Sequence, residues 1–78
     1  MDEMYLQALA YDEAQRLIEK CFSFFNPYSN EIEAENVPFN LRDHFYALVQ
    51  KELELKGQRI TRRGAYFKID MYQAKKSH

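Results

Sequence analysis

The chain has 78 residues, enough for one domain that buries only about 60% of the surface its unfolded form exposes, and its mixed charges and many Tyr and Phe residues exclude a disordered tail. It shows no apolar run near the about 20 residues of a spanning helix, no basic-then-apolar leader, and one cysteine that cannot form an internal disulfide, which points to a reducing, cytoplasmic setting away from membranes. The net charge of −1 conceals a gradient: Met1–Phe39 hold eight acidic and two basic residues, Asn40–His78 four and nine, and the stretch from Leu55 to Ile69 contains no carboxylate.

From Asp2 to Phe25 the chain is rich in strong helix formers. Leu6, Ala10, Ala14, Leu17, Cys21 and Phe25 recur every three or four residues, the spacing of one buried helical stripe. Ile18 and Phe22 widen the stripe, so the last two turns are expected to be best buried; Glu13, Arg16, Glu19, Lys20 and Ser23 fall outside it. A competing reading starts this helix at Asp12, where Asp12–Gln15 has capping-box spacing, and makes Met4–Ala10 a short strand. Asn26-Pro27 ends the helix. Residues 26–40 then read as an acidic, irregular surface connection with Val37 or Phe39 turned inward, although Glu31–Glu35 could form one helical turn.

Asn40 is a candidate N-cap for a second helix, Leu41–Lys56, whose stripe is Leu41, Phe45, Leu48, Val49 and Leu53 and whose stop is Gly57. Glu52 and Lys56 are spaced for a helix-surface ion pair. After Gly57 the period drops to two: Ala65, Phe67, Ile69 and Met71 alternate with Tyr66, Lys68, Asp70 and Tyr72, as in a strand with one apolar face. Gln58–Arg62 could pair with it across Arg63-Gly64. The expected fold is therefore α+β, a single small domain of two amphipathic helices and a C-terminal β-hairpin, with a loose basic end at 73–78. The alternative is a third short helix in place of the hairpin.

No motif points to catalysis or to a cofactor. Cys21, His44 and His78 match no zinc spacing. Cys21 sits on the apolar stripe, where a thiol is normally inert, and His44 is expected to pack or cap. No small-molecule substrate is expected of so short a chain. Cations and aromatics interleave only in 56–68, which makes Arg59, Arg62, Arg63, Tyr66, Lys68 and Tyr72 the candidate partner-binding residues. The favoured function is protein binding of an adaptor or inhibitor type, in a homodimer or with another protein, with the aromatic-rich helix surfaces as the contact. Tyr5, Tyr11 and Tyr46 would join Tyr66 and Tyr72 where exposed, and Arg59, Arg62 and Arg63 would pair with acidic groups, since Tyr and Arg are favoured at interfaces. The acidic half, with Asp12, Glu13, Glu31, Glu33 and Glu35, would meet the basic hairpin of the same molecule or of a symmetry mate. The runner-up is nucleic-acid binding, with cations on phosphates and Tyr66 or Phe67 stacked on a base. The spacing in Arg63–Ile69 is one residue off the aromatic strand motif of RNA-recognition domains, and no second such motif exists. The plainer reading puts Phe67 and Ile69 in the core, Tyr66 at its rim and the arginines on a solvated face.

Overall fold

In the computed structural model, residues 1–23 and 30–69 are described, with 21–23 and 69 defined by their backbone alone. The chain runs α1 (Glu3–Ser23), β1 (Asn30–Glu31), α2 (Arg42–Leu55), β2 (Ile60–Arg63) and β3 (Tyr66–Ile69), with a 3-10 turn at Phe39–Leu41 just ahead of α2. It is an α+β fold with the expected two helices and terminal hairpin. The third-helix alternative fails because β3 is the central strand of an antiparallel sheet ordered β1-β3-β2. Met71, Tyr72 and the basic end at 73–78 lie outside the described residues.

Helix α1 begins where its capping chemistry allows. The Asp2 carboxylate accepts the Tyr5 N–H at 2.8 Å, satisfying one of the orphan donors of the first turn. Residues 4–10 are therefore already helical, and the start at Asp12 is not used. Leu6, Ala10, Ala14 and Leu17 are buried as their spacing requires, whereas the side chains of Cys21, Phe22 and Phe25, and with them the expected burial of the last turns, fall outside the description. Helix α2 turns Phe45, Val49 and Leu53 into the same core. It does not use Asn40 as its cap. Pro38, with φ of −54°, opens a turn in which the Leu41 N–H donates to the Pro38 carbonyl, and the Arg42 N–H then finds the Phe39 carbonyl, so backbone acceptors do the work assigned to the Asn40 side chain.

The end of α2 follows from one glycine. Gly57 adopts φ of +89°, and the Gly57 and Gln58 N–H groups donate back to the Glu54 and Leu53 carbonyls at 3.0 Å each, the paired closure of a Schellman motif. Lys56, expected beside Glu52, instead sets its ammonium 3.9 Å from the centre of the Tyr11 ring on α1. That contact joins the two helices, while the Glu52 alternative would join α2 only to itself.

From Asn30 onward the connection ahead of α2 is more regular than its polarity suggests. Asn30 and Glu31 pair with Phe67 and Tyr66 as a third strand, and the Ile32 N–H donates to the Ala65 carbonyl at 2.8 Å. Ile32, Ala34 and Val37 are buried and Glu31, Glu33 and Glu35 are exposed; of the two inward candidates it is Val37 that turns in, while Phe39 is 86% exposed. Glu13 also departs from expectation: it lies at the buried boundary, 9% exposed. Its carboxylate accepts Arg16 at 2.6 and 2.9 Å and the Glu33 N–H at 2.8 Å, so it ties α1 to the segment after β1.

Candidate functional site

The hairpin sorts the candidate residues by face. A two-residue loop, Gly64-Ala65, joins β2 to β3, with Gly64 at φ of +55°, a conformation that tight hairpin turns require and that glycine adopts without penalty. The strand predicted for Gln58–Arg62 is thereby shifted to Ile60–Arg63. Pairing Thr61 with Lys68 and Arg63 with Tyr66 places these four side chains on one face, and Ile60, Arg62 and Phe67 on the other. Phe67, 1% exposed, and Ile60 face the helices. Phe67 is therefore core and is not available to stack on a base.

Arg62 belongs with the core face as well. Its guanidinium donates Nε–H to Gln50 Oε1 of α2 at 3.0 Å and Nη1–H to the Gly64 carbonyl, so it fastens the hairpin to the helix and closes its turn. It is a structural residue and not a free contact. Arg59, Arg63 and Lys68 are exposed, and among the described residues none of them lies within ion-pair distance of a carboxylate. Tyr66, 51% exposed, stands between Arg63 and Lys68 over a shallow hollow of about 330 Å³ lined by Thr61, Arg63, Tyr66, Phe67 and Lys68. Tyr72 lies outside the described residues.

The sheet adds two residues that the linear reading did not assign to the site. Thr61 joins the outer face through register with Lys68, and exposed Glu31 flanks Tyr66 from β1. A period-two count from Arg63 finds Thr61, but Glu31 is brought there by a pairing across 35 residues of chain that no local pattern signals. The row across β1, β3 and β2 thus reads acid, tyrosine, arginine.

The expected pairing of the acidic half with this hairpin inside one molecule does not occur among the described residues. Glu13 and Glu33 meet Arg16, at 2.6 and 3.7 Å, and Glu3 meets His44 at 3.0 Å. His44 therefore neither caps nor packs; it holds the start of α2 to the start of α1. A second hollow, about 230 Å³, lies over α1 and is lined by Leu9, Asp12, Arg16, Glu33, Glu35 and Phe45 among others. Its one buried carboxylate, Glu13, has its partners already. No group of three or more metal-ligating side chains comes together among the described residues, where Cys21's side chain and His78 are not included. No helix there is long and apolar enough to cross a membrane.

Comparison with known proteins returns no matching family model, no matching curated protein and no matching solved structure.

Proposed function

We propose that the chain is a small protein-binding module without catalytic activity, working in a reducing, cytoplasmic setting, and that the outer face of its hairpin is the contact for an acidic partner. The observation that carries this reading is the half-exposed Tyr66 set between Arg63 and Lys68, with no carboxylate neutralising either cation among the described residues. Tyrosine supplies large contact area with few rotatable bonds, and arginine and lysine in a partly dry contact supply charge-assisted hydrogen bonds. Glu31 beside Tyr66 favours a protein over a polyphosphate, because a carboxylate at the β1 end of the row repels a uniformly anionic backbone laid across the sheet. The acidic partner is another protein or a second copy, whose Asp12, Glu33 and Glu35 are exposed; the second copy would give the homodimer.

One observation favours a nucleic-acid reading. Helix α2 follows a compact pair of turns and leads through four residues, 56–59, to a hairpin with a basic outer side, so a duplex could meet helix and hairpin together. Asp43 and Glu54 on the exposed side of α2 weigh against it.

Fluorescence anisotropy separates these readings. A fluorescein-labelled acidic peptide of four Glu-Val repeats is expected to bind the intact chain and to lose affinity for the double variant Arg63→Glu, Lys68→Glu. Mixed single-stranded and duplex oligonucleotides are expected not to bind at low salt. Binding of the oligonucleotides alone, falling steeply as salt rises, transfers the function to nucleic acid. Light scattering on the unliganded chain reports the second copy.

A further inference from the structure

Among the described residues the sheet order β1-β3-β2 leaves β2 as an edge strand, and the hairpin register states which of its backbone groups no described strand pairs. A two-residue loop makes Arg63 and Tyr66 the first hydrogen-bonded pair, and antiparallel pairs alternate, so Thr61 and Lys68 form the next. The N–H and C=O groups of Ile60 and Arg62 therefore point away from β3. The other side of the sheet agrees: Ala65 bonds Ile32 and Phe67 pairs with Asn30, so the odd-numbered residues of β3 serve β1 and the even-numbered ones serve β2.

Natural edge strands are usually blunted by proline, a bulge or an inward charge. Here β2 has no proline and pairs residue for residue without a bulge, and its one inward charge, Arg62, is already engaged by Gln50 and the Gly64 carbonyl of the same chain. What remains along the edge is positive charge, from Arg59 and Arg63 with Lys68 one strand further in. That charge discriminates between occupants. A second copy adding its own β2 would set arginines against arginines, which is unfavourable directly across a strand pair. An acidic strand would set carboxylates beside Thr61 and Arg63.

We infer that β2 is a docking edge for an extended acidic segment of a partner protein, which adds to the sheet as a fourth strand with acidic residues on the outer face and apolar residues on the face of Ile60. This rests on the reading of the basic hairpin as the contact for an acidic partner and specifies the form that partner takes. Main-chain hydrogen bonds to Ile60 and Arg62 provide the attachment, and alternate side chains provide the selectivity. The required pattern is acid-apolar alternation over about four to six residues, the usual length of a strand.

The test uses the full chain and two labelled probes: the peptide of four Glu-Val repeats and the same peptide N-methylated at every peptide bond, which keeps its charge and loses its donors. The methylated peptide is expected to bind at least about tenfold more weakly, the loss that a few net hydrogen bonds produce. Amide exchange at Ile60 and Arg62 is expected to slow on adding the unmodified peptide. Equal affinity of the two peptides, or no slowing at those two amides, overturns strand addition while leaving the acidic-partner reading intact. Failure of both peptides to bind overturns both readings. Slowing at the same amides with rising protein concentration and no peptide makes a second copy the occupant and overturns the peptide assignment.

Discussion

The acidic first half and the basic hairpin use their charges in opposite ways. Around α1 the carboxylates are built into the fold: Asp2 caps the helix, Glu13 gathers Arg16 and a backbone N–H, and Glu3 holds His44. On the hairpin the one engaged cation, Arg62, bonds neutral acceptors, while Arg59, Arg63 and Lys68 have no carboxylate partner among the described residues. Sorting charge along a chain therefore does not mean that the two halves neutralise each other. Here several carboxylates are spent on architecture while the hairpin cations are presented to solvent, and this is why the hairpin is the candidate contact.

The sharpest test compares neighbours on β3. Phe67→Ala should destabilise the protein by about 3–5 kcal/mol in denaturant unfolding, as removal of a buried aromatic does. Tyr66→Ala should leave stability nearly unchanged and weaken peptide binding; the reverse order of effects would mean that the faces are misassigned. Next in size is Glu13→Ala. It strands the Glu33 N–H and removes the nearer carboxylate of Arg16, at a cost of about 1–3 kcal/mol, and Glu13→Gln, which can still accept from Glu33, should cost less in the same assay. If Glu13→Ala proves neutral, the architectural role of the acidic half is lost.

Gly57→Ala should cost about 1–2 kcal/mol, because a side chain at φ of +89° is strained even though nothing crowds the position. His44→Ala tests the weakest of the architectural contacts: both partners are half-exposed, so the loss should not exceed about 1 kcal/mol. Smallest of all in stability, within about 0.5 kcal/mol, should be Arg63→Glu with Lys68→Glu, although this pair should abolish acidic-peptide binding. A large loss of stability from that double variant would show that the hairpin cations are architectural after all.

Much of this organisation is legible in the residues. The three-to-four spacing of Leu6, Ala10, Ala14 and Leu17, the stop at Gly57 and the alternation after it are local signals, and each follows from backbone geometry alone. The connection at 26–40 was harder to read because charge obscured its period. Glu31-Ile32-Glu33-Ala34-Glu35 alternates as a strand does, yet a run of glutamates with Pro38 following resembles a solvated loop, and only β3 supplies the partner that makes Asn30 and Glu31 a strand. The role of Glu13 is hidden for a different reason: a helical wheel reports which face is apolar, not which polar group a distant backbone N–H will need.

By itself the sequence determined the two helices, the main part of their apolar faces and the separation of charge, and favoured a hairpin over a third helix, because each depends on contacts within a few residues. Only the tertiary structure decided that the last third is a hairpin paired with β1, that Arg62 turns inward while Arg63 turns outward, that Glu31 stands beside Tyr66, and that among the described residues β2 is left as an edge. Those outcomes depend on strand order and register, which are set by pairings between residues far apart in the chain.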